Sequence, residues 1–321
     1  WKFCHPYPED FRKAIIEFTQ VDLNWFFDEW LETSKIIDYA IKSVKRLKKN
    51  DNYIVKFKRI GEMQMPIDFS VIAKSDSTYN FHIPNTWFVK ETDATVLPKW
   101  FGWRKIQPEY YAKITVPSGI KNIKIDPSLR LADINMLNNT KKFPIKYFWR
   151  TPYSNTDNWT KYMFYVSPDV WYNAIDGFRF GLNLHGDYMK YLHKVDFTIW
   201  YNSHLAIQKK LFDENLKYEK ISYKLSYSTG LNKYLDQTTF NVNALYSEGL
   251  ESYSISFIKK FNSKQKVYFL LKSMIREESQ DIAYLIYPKD WGAGNYNNTV
   301  NFGFEINKKY KKRKLIYNFY F

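Results

Sequence analysis

One cysteine, five histidines and no apolar run long enough for a bilayer-spanning helix are the shortages that first constrain this 321-residue chain. The lone thiol, Cys4, excludes an internal disulfide and a cysteine-rich zinc site, and a buried structural thiol is its simplest reading. A spanning helix needs about 18 to 20 apolar residues in a row, and charges or amides interrupt every run before that length. Catalytic motifs are missing in the same way. No two of His5, His82, His185, His193 and His204 stand at the four-residue spacing that places both on one helix face, as in H-E-x-x-H. There is no G-x-S-x-G elbow and no glycine loop built to cradle phosphate. Glu277 and Glu278 beside Asp281 read as a solvated acidic cluster in a turn, not an acid/base pair. The residues therefore nominate no catalytic, cofactor-binding or metal-ligating position.

What is abundant is positive charge and aromatic surface, with a formal net charge of +15 and 27 Tyr, 25 Phe and 11 Trp. Together these would suit a nucleic-acid surface, but the lysines are dispersed, alternating with aromatics at strand spacing or placed in turns such as Lys308, Lys309, Lys311 and Lys312. No nucleic-acid partner is expected. Attraction to anionic lipid head groups suits the charge better than nucleic acid, with a solvated basic face as the default reading. The length allows two domains. The chain opens on Trp1 without a signal-peptide pattern, so the expectation is a piece of a longer protein.

Residues 8 to 31 predict two short helices. The first opens at Pro8 with Glu9 and Asp10 in its first turn and carries the stripe Phe11, Ile15, Phe18. Asp22 is placed to cap the second, whose Leu23, Phe26, Phe27, Trp30 and Leu31 share one face. Two helices this short cannot bury such stripes alone, which implies a missing amino-terminal body. From about residue 36 the period becomes two, as in Tyr53/Val55/Phe57, Phe69/Val71/Ala73 and Tyr79/Phe81/Ile83, and predicts a small antiparallel β-sandwich closing near Ile123 and Ile125. Asp126-Pro127 and Asn138-Asn139 supply turn chemistry beyond it. The expected divisions are 1–35 (end of a helical domain), 36–142 (sandwich) and 143–321 (barrel-like).

The last segment is dominated by alternation, from Tyr162/Phe164/Val166 and Phe178/Phe180/Leu182/Leu184 to Val300/Phe302/Phe304/Ile306 and Leu315/Tyr317/Phe319/Phe321. Intervening positions are largely Asn, Ser, Thr, Lys, Gly and Glu. A soluble sandwich and a lipid-facing barrel both fit this pattern. Segment length favours the barrel, because crossing a bilayer at a tilt takes roughly 9 to 11 residues and ordinary soluble strands run about 5 to 6. Trp171, Tyr172, Trp200 and Tyr201 near strand ends suit interfacial girdles, and the terminal alternation resembles the insertion signal of outer-membrane proteins. The fold expected is mainly β, ending in an antiparallel up-and-down barrel of about ten to twelve strands.

Trp1 to Leu31, with His5-Pro6-Tyr7-Pro8-Glu9-Asp10-Phe11 and Asp22-Leu23-Asn24-Trp25-Phe26-Phe27-Asp28-Glu29-Trp30, resembles the final helices of the catalytic domain of the membrane alanyl aminopeptidase family, the zinc gluzincin aminopeptidases. Asp38-Tyr39-Ala40-Ile41, Arg59-Ile60-Gly61 with Met65-Pro66-Ile67, and Ile125-Asp126-Pro127 with Leu131-Ala132-Asp133-Ile134-Asn135 resemble that family's sandwich. Trp171-Tyr172-Asn173 with Asp176-Gly177-Phe178 looks like the β-rich extension of such proteins in Bacteroidetes-type bacteria. The resemblance implies a zinc metallopeptidase as parent, with metal ligands, general base and peptide substrate all upstream. This chain would then be non-catalytic and hold no cofactor itself. Its partners would be the missing catalytic domain and outer-membrane lipid of a Gram-negative bacterium. The alternatives are a catalytically silent outer-membrane binding or transport component, or a periplasmic domain.

Overall fold

The computed structural model describes residues 5–47, 51–102, 106–149, 158–173, 177–189, 192–205, 220–231, 235–247, 249–276, 296–310 and 313–320, those from 307 onward by backbone alone. The protein is mainly β, and it divides into two compact units, Trp1–Pro144 and Ile145–Phe321.

In the first unit, helices α1 (Pro8–Thr19) and α2 (Asn24–Leu31) lie where the apolar spacing places them. Asp10 accepts the Tyr7 backbone N–H at 2.9 Å, satisfying one of the donors an N-terminus leaves open. Asp22 acts one step earlier than a formal cap, accepting the Asn24 N–H at 3.0 Å. Arg12 ties the helices together through Asp28 at 2.7 Å and Asn24 at 2.7 Å. Of the expected apolar stripes only Phe27 is buried, edge-on against Phe11 at 6.0 Å, while Phe18 is 86% exposed.

Two sheets follow. The order β1-β2-β6 uses Tyr39–Arg46, Asn52–Arg59 and Glu109–Thr115, and β5-β4-β3-β7 uses Thr95–Val96, Thr78–Ile83, Ile67–Ala73 and Ile120–Ile125. Alternation on β2 and β3 turns Val55, Phe57, Phe69, Val71 and Ala73 inward, all essentially without exposure. Phe57 meets Phe69 across the two sheets at 4.8 Å, and Phe69 stacks on Phe81 at 4.9 Å. This is the expected sandwich, with every ladder antiparallel except β4–β5. That pair can run parallel because residues 84–94 provide the long connection that parallel neighbours require.

The second unit is one ten-stranded sheet in strict sequence order, β17 through β8. Strands β9 (Tyr162–Asn173), β10 (Gly177–Tyr188), β11 (Leu192–Asn202), β12 (Ile221–Gly230), β13 (Thr238–Ser247), β14 (Leu250–Asn262), β15 (Gln265–Arg276), β16 (Tyr296–Tyr310) and β17 (Arg313–Tyr320) form an antiparallel meander. Short β8 (Ile145–Trp149) joins β9 in parallel, with residues 150–161 as the return. Strands β9 to β15 run 10 to 13 residues, against 6 to 8 for the main strands of the sandwich. Among the described residues no ladder joins β17 to β8, so the sheet is barrel-like without a closing seam. Lys308 and Lys309, expected in a turn, belong to β16, because pairing with β17 continues to Tyr310. Gly303 pairs with Tyr268 across the β15–β16 ladder, and a Cβ there would lie 2.1 Å from the tyrosine ring, so the ring occupies the space a larger residue would need.

Phe57 is fully buried where the sheets meet, whereas Tyr111 on β6 is 54% exposed. Phe57→Ala should cost about 3–5 kcal/mol of sandwich stability and Tyr111→Ala about 1 or less, read as denaturant midpoints at unchanged slope.

Candidate functional site

Two concentrations of buried polar side chains stand out, one in each unit. In the sandwich, segments far apart in sequence meet in a hydrogen-bonded knot. Tyr39 N–H donates to Asp133 Oδ2 at 3.0 Å, and Asp133 Oδ1 accepts the Asn135 N–H at 2.9 Å. Asp38 Oδ1 accepts from Asn138 Nδ2 at 2.9 Å, while its carbonyl takes the Ile60 and Gly61 N–H groups at 2.7 and 3.0 Å. The Tyr39 hydroxyl accepts the Met65 N–H at 2.9 Å. Arg59 donates to the Ile106 carbonyl at 3.2 Å and lies over Trp100 at 5.7 Å. A Cβ on Gly61 would fall 2.2 Å from the Ile36 carbonyl oxygen, so the crossing of these segments needs glycine there.

Burial pushes the Asp133 carboxyl up to about 7, and the neighbouring Asp38 adds to the rise against hydrogen bonds from the Tyr39 and Asn135 backbone. Burial likewise lifts the Tyr39 phenol to about 12. These are the residues of Asp38-Tyr39-Ala40-Ile41, Arg59-Ile60-Gly61 and Leu131-Ala132-Asp133-Ile134-Asn135, so those signatures converge on a structural junction. Asp126, from Ile125-Asp126-Pro127, accepts the Leu131 N–H at 2.6 Å from a left-handed backbone at φ 46°.

A smaller group sits at the β3–β4 pair, where His82 Nδ1 lies 2.7 Å from Asp68 and Lys90 Nζ 2.5 Å from its other oxygen. Burial raises the Asp68 carboxyl, but the bonds from Lys90 and His82 outweigh it and hold the group below the ordinary range.

In the second unit the register separates two faces. Phe180, Leu182 and Leu184 on β10 align with Tyr201, Ile199 and Phe197 on β11, while Arg179, Asn183 and His185 align with Asn202, Thr198 and Asp196. The burial is inverted. Arg179 and Asn202 are 1% exposed and Ser222 is 0%, whereas Phe180 is 47% and Leu182 52% exposed. Arg179 lies over Trp171 at 5.4 Å and Trp200 at 6.0 Å and donates to Ser247 at 2.9 Å. Strands β10 and β13 are three ladder steps apart, about 14 Å in a flat sheet, more than arginine and serine can bridge. The sheet therefore curls with its polar face inward. Along that face His185 contacts Asp196 at 3.2 Å and Asp187 at 3.3 Å, Asn183 donates to Thr198 at 2.8 Å, and Asn202 to Ser222 at 2.8 Å. Of the aromatics expected at an interface, Tyr172 and Tyr201 keep to the apolar face. Trp171 and Trp200 share the face of Arg179, since side-chain direction alternates strictly along a strand.

The histidines are scattered: His5 in the exposed lead-in, His82 on β4, His185 on β10, His193 on β11 and His204 just after it. Among the described residues no group of three or more His, Cys, Asp or Glu is placed to hold a metal ion. Cys4 and the Glu277, Glu278, Asp281 cluster lie outside the described residues. What sequence reasoning missed is Arg179 and the Asp38–Asp133 junction, the first because a single arginine among aromatics carries no spacing signal, the second because its parts lie some ninety residues apart. No family model, curated protein or solved structure matches the chain.

Because the Asp133 carboxyl sits above the ordinary aspartate value near 4, the folded sandwich holds a proton that the unfolded chain releases between about pH 4 and 7. The stability this proton confers should be full below about pH 4 and lost as pH rises through about 7. Thermal unfolding of the sandwich across that range should show the slope, and Asp133→Asn should flatten it.

Proposed function

We propose that the second unit is an outer-membrane β-barrel and that the chain is the non-catalytic, bracing and anchoring part of a zinc-dependent aminopeptidase-like protein. The observation that carries the membrane part is the inverted burial, with Arg179 and Asn202 closed off on the concave face and Phe180 and Leu182 open on the convex one. Apolar side chains on a convex surface are costly in water and favourable in hydrocarbon, whereas ladder hydrogen bonds let backbone cross a bilayer. Strands of 10 to 13 residues suit a tilted crossing. Ten strands in sequence order need only one further ladder, between β17 and β8, to remove both edges.

The peptidase part rests on the family resemblance of the helices and sandwich signatures. On this reading zinc and peptide substrate belong to the catalytic body, and this chain supplies position and support. A catalytically silent binding or transport component is the second reading, favoured by the small polar residues Ser226, Asn243 and Ser254 lining the concave face.

Leu182 stands at the middle of β10 on the convex face. Replacing it with lysine should cost about 2–4 kcal/mol if that face meets lipid, so recovery in the outer-membrane fraction and the heat-shifted gel band should both fall, and Leu182→Ile should leave them intact. Unchanged recovery of the lysine variant, or extraction of the native chain without detergent, would overturn the membrane assignment.

A further inference from the structure

The convex face of the meander changes character from one strand to the next. The register carries one row of that face from Leu184 through Phe197 and Leu225 to Ala244, and a neighbouring row from Leu182 through Ile199 and Tyr223 to Tyr246, every member aliphatic or aromatic. Continued onto β14, β15 and β16, the first row becomes Tyr253, Ser273 and Asn298, and the second becomes Glu251, Ile275 and Tyr296. A third row on the other side of the first, Ile255, Leu271 and Val300, stays aliphatic and is 41%, 41% and 62% exposed. Glu251, Ser273 and Asn298 thus stand together among rows that are otherwise aliphatic or aromatic.

A groove of about 520 Å³ lies at this place, where small Ala244 and Ser273 stand beside Ile255, Leu271 and Val300. Glu251 joins the groove through Tyr253, whose hydroxyl lies 3.4 Å from that of Tyr223 and donates to Glu251 Oε2 at 3.2 Å. Among the described residues no cationic side chain pairs with this carboxylate. Glu251 is the second residue of β14, so it stands near a strand end, where a carboxylate on a lipid-facing surface costs least. Four residues separate it from Ile255, about 13 Å along the strand, with the Tyr253 row between them. Carboxylate, then hydroxyl and amide, then aliphatic trough is the order of polarity that a phospholipid follows from head group to upper acyl chain.

We infer that this groove seats one lipid with a primary ammonium head group, phosphatidylethanolamine. The ammonium meets the Glu251 carboxylate, the Ser273 hydroxyl and Asn298 amide donate to the lipid's phosphate and ester oxygens, and the upper acyl chain lies against Ile255, Leu271 and Val300. The inference rests on the membrane reading above. The trough takes the tail of any diacyl lipid, so selectivity belongs to the head group. A carboxylate there repels an anionic head group. It also favours an ammonium that donates three N–H bonds over a trimethylated one that donates none, because charge-assisted hydrogen bonds are the strong ones.

The full chain refolded in detergent, with the heat-shifted gel band reporting the folded barrel, gives the test. Native mass spectrometry after incubation with phosphatidylethanolamine, phosphatidylcholine or phosphatidylglycerol of identical acyl chains should find phosphatidylethanolamine retained severalfold more than either of the others. Stepwise N-methylation of its head group should lower retention with each donor removed. Glu251→Gln, with its gel band unchanged, should bring phosphatidylethanolamine down to the phosphatidylcholine level and leave phosphatidylcholine where it was. Ala244→Leu, which narrows the groove, should lower retention of all three. Equal retention of the three lipids, a preference for phosphatidylglycerol, or a phosphatidylethanolamine preference that survives Glu251→Gln would overturn the site while the gel band keeps the barrel standing. Unchanged retention in Ala244→Leu would overturn the seat of the acyl chain. Absence of the heat-shifted band in the native chain would instead remove the membrane reading, and this inference with it.

Discussion

Everything in the second unit depends on how the Arg179 guanidinium is satisfied. A charge closed off from water is tolerable only when acceptors and aromatic faces surround it, and here Trp171, Trp200 and Ser247 come from three different strands. To bring Ser247 within reach the sheet must bend across three ladder steps, and that bend makes one face concave. The concave face then holds the small polar residues, and the alternation of strands leaves Phe180, Leu182 and Ile199 on the convex side. Curvature, polarity and the exposed apolar surface thus share one origin.

The sandwich obeys the opposite rule. Its apolar residues are interior, and its buried polar atoms collect where segments cross. There the Asp133 carboxylate is met by the Tyr39 and Asn135 backbone N–H groups, and the Asp38 carboxylate by the Asn138 side-chain amide. Burial of the Asp133 carboxyl, with a smaller push from the Asp38 charge, favours its protonated form, which links the junction to pH. The residues that look most like family signatures are thus placed to hold chain crossings, and their spacing reflects where backbone groups must be satisfied.

Elements with a strong period were legible in the sequence. Pro8 opens α1, the alternation through Val55 and Phe57 is a strand facing a core, and the meander follows from repeated aromatic-polar alternation. Less legible were features set by partners distant along the chain. The parallel β8–β9 pair depends on a twelve-residue return that has no motif. Trp171 and Trp200 look interfacial by type, yet their parity puts them beside Arg179. Lys308 and Lys309 look like turn residues by composition, but the length of the neighbouring strand keeps them in a ladder. The candidate site was invisible for the same reason: a buried cation or carboxylate is defined by what packs around it.

The strict order of the meander has an evolutionary consequence. Among the described residues each of β10 through β16 pairs only with its sequence neighbours, so this stretch of the sheet has no crossover that a change in strand number would disturb. Gain or loss of a whole hairpin preserves the direction of every later strand and the exit side of the chain. Gain or loss of a single strand reverses both. Length variation among descendants of such a sheet is therefore expected in steps of two strands, with the hairpin as the heritable unit.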